Sequence, residues 1–261
     1  SGELLWSKII AGEKSQYLNG ILFSNDGNLI ATGYTDDIAI FSNGDQLGNV
    51  NTSTENDFFV KFDSSSGDIL WSVLTQDEDN YDIAQNFDRH AILSNGDILF
   101  FPYYGYQWDL ENTNNIINIY KLDSSNGNIT TVGNSQDIPA RIQVVEVDNN
   151  DNIYISSQIQ DQDNNFYTSS LIKYDSNLNV LWNIDVSDNG TGNQEAYVED
   201  IQYDSINDLL YVAGKARSAN INPLGTSTII SNNANSGGYF AAYNTAGILQ
   251  FSHGFETDIN S

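Results

Sequence analysis

The stretch that decides the fold is FFVKFDSSSGDILWS, residues 58–72. Two apolar runs flank a short polar turn whose Asp, Ser and Gly residues bond their own backbone or accept positive φ, so the segment reads as a β-hairpin. The pattern returns three times, as INIYKLDSSNGNITT at 117–131, SLIKYDSNLNVLWN at 170–183 and YFAAYNTAGILQFS at 239–252. A large apolar residue followed by Asp or Asn falls at Phe62-Asp63, Leu122-Asp123, Tyr174-Asp175 and Tyr243-Asn244. Further on a large aromatic falls at Trp71, Trp182 and Phe251, with Thr131 the exception. The opening SGELLWS, residues 1–7, repeats the latter half of this unit around Trp6.

A second hairpin alternates with the first: ILFSNDGNLIATG at 21–33, AILSNGDILFFP at 91–102, VEVDNNDNIYISS at 145–157 and DIQYDSINDLLYVAG at 200–214. Each repeat is therefore two hairpins, and the aligned positions 62, 122, 174 and 243 lie 60, 52 and 69 residues apart. Four strands per repeat is the blade of a β-propeller. Strands such as Asp97-Ile98-Leu99-Phe100-Phe101 are apolar on consecutive residues, as expected when both faces of a sheet are covered. The expected fold is all-β, a β-propeller of four-stranded antiparallel blades at 17–75, 80–133, 139–187 and 195–256, with residues 1–12 a spare N-terminal outer strand. Residues 1–261 then form one repeat-built segment of a larger propeller or array. Segments 35–56, 103–115, 158–169 and 215–238, between the hairpins of each repeat, differ most and are expected at a rim, where binding usually resides.

Composition narrows the partners. In 261 residues, 9 Lys and Arg face 35 Asp and Glu, a net charge of −26 that repels phosphate backbones and anionic lipid. Nucleic acid and direct membrane insertion are excluded as expectations, the latter also because no run of about 18 apolar residues occurs. No cysteine is present, which removes disulfides, thiolate catalysis and Cys-based zinc sites. The chain begins Ser1-Gly2 and has no Met, as expected of a processed or excised polypeptide.

The repeats resemble the SBBP beta-propeller repeat family. The residues that carry this are Gly27-Asn28-Leu29-Ile30-Ala31-Thr32-Gly33-Tyr34-Thr35, Asp57-Phe58-Phe59-Val60-Lys61-Phe62-Asp63 and Gly67-Asp68-Ile69-Leu70-Trp71. The last copy is similar, with Tyr211-Val212-Ala213-Gly214, Asn222-Pro223-Leu224-Gly225 and Gly238-Tyr239-Phe240-Ala241-Ala242-Tyr243 in the same order. The resemblance implies a propeller on bacterial secreted or cell-surface proteins and gives no catalytic residue to carry over.

Candidate sites are few. Only His90 and His253 could serve as histidine bases, and neither stands in a Ser/His/Asp context. Arg89, Arg141 and Arg217 are read as partners of clustered carboxylates. The acidic loops Asp77, Asp79, Asp82 and Asp161, Asp163 alternate carboxylates that could aim oxygens at calcium, the one cofactor the composition allows, although solvated turns are the plainer reading of both. Tyr103, Tyr104, Tyr106 and Trp108 offer flat faces with polar edges, suited to stacking on sugars or to a protein interface. The leading expectation is a non-catalytic extracellular or cell-surface module for adhesion, assembly or display, its partner a protein or glycan at the rim loops. Two alternatives stand beside it: a carbohydrate-binding, lectin-like propeller assisted by calcium, and a propeller enzyme. The enzyme reading requires polar residues converging from the inner strands.

Overall fold

A computed structural model of the chain describes residues 2–11, 16–35, 39–41, 46–47, 56–74, 89–101, 118–134, 142–161, 166–186, 195–217, 220–221, 228–229 and 237–255. The chain divides into two compact units, Ser1–Gln136 and Asp137–Ser261. All regular structure among the described residues is β. Unit 1 contains β1 (Ile10–Ala11), β2 (Gln16–Phe23), β3 (Leu29–Thr35), β4 (Ala39–Phe41), β5 (Gln46–Leu47), β6 (Asn56–Phe62), β7 (Ile69–Leu74), β8 (His90–Ile92), β9 (Ile98–Phe100), β10 (Asn118–Leu122) and β11 (Ile129–Asn134). Antiparallel pairing gives two four-stranded sheets, β2-β3-β6-β7 and β8-β9-β10-β11, which are blades 1 and 2.

Unit 2 contains β12 (Ile142–Val147), β13 (Ile153–Asp161), β14 (Phe166–Tyr174), β15 (Val180–Asp185), β16 (Glu195–Asp204), β17 (Leu209–Arg217), β18 (Asn220–Ile221), β19 (Thr228–Ile229), β20 (Gly237–Asn244) and β21 (Leu249–Phe255). Blade 3 is β12-β13-β14-β15 and blade 4 is β16-β17-β20-β21, joined by a single parallel bridge, Thr168 to Ala196. The fold class is thus all-β, with four antiparallel four-stranded blades of the β-propeller type. The segment between the hairpins of blade 3 is mostly strand, since pairing of β13 with β14 continues out to Asp161 opposite Phe166. In blades 1 and 4 the corresponding segments instead carry the small hairpins β4-β5 and β18-β19.

The hairpin turns repeat at residue level. Every positive φ among the described residues falls at one position of the eight turns: Gly27, Gly96, Asp151 and Asp208 in the first hairpins, and Gly67, Gly127, Leu178 and Gly247 in the second. Turn carboxylates accept backbone N–H groups two or three residues on, as Asp63 does from Ser65 and Ser66, Asp123 from Ser125, and Asp175 from Asn177. These bonds favour the charged form, and the hydroxyl of Ser65, the hydroxyl of Ser125 and the amide of Asn179 respectively head the causes that hold the three carboxyls low. Part of the chain's acidity therefore closes turns.

Within each unit the blades pack face to face. The trailing side of blade 1 (Leu22, Ile30, Phe59) meets the leading side of blade 2 (Ile98, Phe100, Leu122), with Trp71 and Val73 against the same core. In unit 2, Tyr154, Leu171 and Trp182 of blade 3 meet Ile201, Leu210, Val212, Tyr239, Ala241 and Tyr243 of blade 4. Each outer-strand Trp then reaches one blade on. Trp71 Nε1 donates to the Ser124 carbonyl at 3.0 Å and Trp182 Nε1 to the Thr245 carbonyl at 3.1 Å. Their indoles lie over Gly127 and Gly247, where an added Cβ would meet ring atoms at 2.9 and 3.2 Å.

Trp6 makes the same contact with blade 1, donating to the Ser64 carbonyl at 2.9 Å over Gly67. The N-terminal segment thus holds the place of an outer strand on the leading side of blade 1, although residues 2–9 belong to no strand. In blade 2 the strand register moves the exceptional residue. Trp71 pairs with Lys61, whereas Thr130 pairs with Lys121 and Thr131 with Tyr120.

One lysine in each of blades 1 to 3 adds a second tie. Lys61, Lys121 and Lys173 occupy one position of the third strand in blades 1 to 3 and meet Asp26, Asp97 and Asp148 at 2.7, 3.4 and 3.5 Å. The three aspartates come from different positions of the first turn, so the lysine is the constant partner. Lys61 and Lys173 also donate across to the next blade, to the carbonyls of Ser124 at 2.9 Å and Thr245 at 3.1 Å.

Candidate site on the bulged first strands

The first strands of blades 1 to 3 are edge strands and that of blade 4 touches blade 3 by one bridge, and three of the four first strands break register at one residue. Leu18 pairs with Gly33 and Gly20 with Thr32, which leaves Asn19 as the extra residue of β2. The same count leaves Gln143 extra in β12 and Glu199 extra in β16. All three are polar residues with amide or carboxylate heads, and a bulge re-aims its side chain out of the alternating pattern. Gly33 and Gly214 make room for two of these bulges, since a Cβ there would overlap the carbonyl oxygens of Tyr17 and Tyr197. Blade 2 is described only from Arg89, and His90 opens β8 half-buried, 6.5 Å from the Phe100 ring.

In unit 2 the first strands of two blades come together. Glu146 of β12 accepts the Tyr203 backbone N–H at 3.1 Å and the Gln202 side-chain amide at 3.1 Å, both from β16. Burial raises the Glu146 carboxyl, the Tyr203 N–H opposes the rise, and the charge of Asp200 adds to it. Asp200 and Glu199 are exposed on the neighbouring strand, and Glu199 meets Lys215 at 2.8 Å. Beside them Tyr203 donates its hydroxyl to Asp208 at 2.9 Å. Its hydroxyl is pushed up to about 12 by burial first and then by that bond. Glu146 thus meets Gln202 and Tyr203 and lies under the charge of Asp200, while Glu199 of the same strand is held by Lys215.

Tyr103, Tyr104, Tyr106 and Trp108 lie outside the described residues, as do Asp77, Asp79, Asp82, Asp163 and Arg141. Asp161 ends β13 opposite Phe166, and its side chain is not among those described. Among the described residues no group of three or more His, Asp or Glu side chains is arranged to hold a metal. Sequence reading passed over Gln143, Glu146, Glu199 and Asp200. The only signal for them is a polar residue interrupting an apolar strand, in Val145-Glu146-Val147 and Val198-Glu199-Asp200-Ile201.

No protein-family model and no curated protein matches the chain. Solved structures similar to it include the beta-propeller domain of the Trilobed protease from Pyrococcus furiosus, at 8% identity and TM-score 0.47, over 95% of this chain and 59% of that one. A luciferin-regenerating enzyme is similar at 15% identity and TM-score 0.44, over 90% and 64%. An α-L-arabinofuranosidase from Fusarium graminearum, in complex with an iminosugar inhibitor, is similar at 11% and 0.47, over 91% and 66%. The chain spans less than two thirds of the length of each. The expectation of a non-catalytic adhesion, assembly or display module is corrected by these structures: two of the three are enzymes, so the blade architecture is no ground for excluding catalysis. The lack of a Ser/His/Asp context, one of the grounds for that expectation beside the SBBP-like repeats and the acidic surface, excludes only nucleophilic triads and leaves carboxylate chemistry open.

Proposed function

We propose that the chain is the carbohydrate-binding part of a propeller, and that the bulged first strands of blades 3 and 4 hold the sugar. The carrying observation is the meeting of β12 and β16, where Glu146 accepts from Gln202 and Tyr203 under the charge of Asp200, with Glu199 and Asp200 exposed on the same strand. Sugar hydroxyls are donors in excess of what water-free apolar surface can satisfy, and carboxylates with amides supply matched acceptors and donors. A secreted or cell-surface setting and membership of the SBBP repeat family belong to this reading, the latter supported by the repeat order at 211–214, 222–225 and 238–243. Calorimetric titration with neutral oligosaccharides tests it. Binding that falls about tenfold or more in Glu199→Gln with Asp200→Asn supports the site, and binding indifferent to both removes it.

One observation favours a second reading, hydrolysis of the bound glycoside. Glu146 has a raised carboxyl beside the charge of Asp200, and carboxyl pairs whose environments differ divide acid and base roles in glycoside cleavage. Release of nitrophenol from aryl glycosides, lost in Glu146→Gln while sugar binding survives, is the expected result. Aryl-glycoside turnover absent from the wild-type chain leaves binding alone.

A further inference from the structure

We propose that the buried Tyr239 hydroxyl is a positioning partner for Glu199, and that the carboxylate turns from Lys215 to Tyr239 when a sugar occupies the site. The role given to that movement rests on the reading of the bulged strands as a sugar site. Tyr239 of β20 pairs with Gly214 of β17, which in turn pairs with Val198 of β16, the residue before the Glu199 bulge. A Cβ on Gly214 would meet Cε1 and Cζ of the Tyr239 ring at 2.7 and 2.8 Å, so the ring runs across Gly214 and carries its hydroxyl towards β16. There the side chain is 2% exposed, and the hydroxyl makes no hydrogen bond. Burial first, then Tyr243 and the charge of Glu199, raise its pKa, so it stays protonated and able to donate at neutral pH.

Blade 1 shows what the hydroxyl adds. Phe58 holds the place of Tyr239, its Cζ 2.7 Å from a Cβ on Gly33, and the bulge of that blade carries Asn19. The amide of Asn19 brings its own donors, whereas an ionised Glu199 only accepts. The phenol thus stands in the blade whose bulge residue needs a donor. A buried hydroxyl without a bond costs stability that Phe would not cost, so its partner belongs to another state of the site. The present partner holds Glu199 loosely. Lys215 meets it at 2.8 Å, but the two side chains are 64% and 52% exposed, and such pairs contribute little. Water around the carboxylate opposes the turn while the site is open. A bound sugar excludes that water, and the charged bond to Tyr239 is then the stronger one.

Tyr239→Phe tests this, because Phe58 shows that the ring fits over the strand glycine without its hydroxyl. In thermal unfolding without sugar the variant should melt at or above the wild type, since no bond is lost. In calorimetric titration with neutral oligosaccharides it should bind about threefold or more weakly. That loss should shrink in the Glu199→Gln background, where the charge that draws the hydroxyl bond is gone. A variant that melts lower yet binds as well as the wild type would make the hydroxyl structural and overturn the proposal. A loss of binding as large in the Glu199→Gln background as in the wild type also overturns it. A wild-type chain that binds no sugar ends the reading of the site itself. A wild type that binds, and weakens on Glu199→Gln with Asp200→Asn but not on Tyr239→Phe, ends the role of Tyr239 alone.

Discussion

The ammonium of Lys61 lies between Asp26 at 2.7 Å and the Ser124 carbonyl at 2.9 Å, with its side chain almost wholly buried. Burial works against the Asp26 charge, but bonds from Lys61, Ser24 and Asn28 outweigh it and hold the carboxyl well below its usual 3.8. A carboxyl lowered in the fold contributes stability above its unfolded value and loses it as pH falls through the folded one. Lys61→Met should cost about 1–3 kcal/mol near neutral pH by breaking a charged hydrogen bond. Its deficit should shrink as pH drops below 3.8, and thermal melts across that range check both the size and the trend. Glu146 carries the opposite sign. Burial raises it above 4.5, so ionisation opposes folding, and the stability present below 4.5 is lost as pH rises through the folded value. Glu146→Gln keeps an acceptor for the Tyr203 N–H and removes that charge. The variant should melt above the wild type at pH 7, with the difference vanishing below 4.5. A variant that melts lower at pH 7 would show that the charged form strengthens the contact between β12 and β16.

The Trp and glycine pairs link one blade to the next within a unit, and they separate two costs that usually come together. Gly27 and Gly127 both have positive φ, 80° and 78°. An added Cβ at Gly27 meets nothing within 4 Å, but at Gly127 it meets the Trp71 ring at 2.9 Å. Gly27→Ala should cost about 1 kcal/mol of backbone strain, and Gly127→Ala about 1–3 kcal/mol more as the indole is displaced. Urea unfolding of the two variants gives the difference directly, and equal losses would mean that the indole moves aside freely. Strand order, turn positions and the aromatic beat were legible in the sequence because each is local or repeats at a fixed place in the hairpin. The bulges were not, because Asn19, Gln143 and Glu199 are ordinary polar residues until the pairing partner shows that one residue is left over. The shift of Thr130 into the place opposite Lys121 was hidden for the same reason. It also precedes the one second-hairpin turn where Leu178, at φ 65°, stands in place of glycine.

At the scale of the whole chain, the decisive quantity is a net charge of −26 over 261 residues. Part of that acidity is absorbed locally, because the lysines at 61, 121 and 173 meet turn aspartates and other turn carboxylates accept backbone N–H groups. All nine Lys and Arg are already counted in that net charge, so folding compacts like charges to within a few Debye lengths at low salt, where the screening length is about 30 Å at 0.01 M and about 10 Å at 0.1 M. Melting temperature should therefore rise by several degrees as sodium chloride increases across that range, and most of the gain should come before the screening length drops below the spacing between blades. The same experiment separates general screening from a calcium site. At matched ionic strength calcium and magnesium should raise the melting temperature equally, since screening depends on valence alone. A surplus specific to calcium and reversed by chelator would instead require carboxylates arranged around the ion in the folded state. It would assign that role to the loops containing Asp77, Asp79 and Asp82 or Asp161 and Asp163, and substitution of each set in turn would show which one binds.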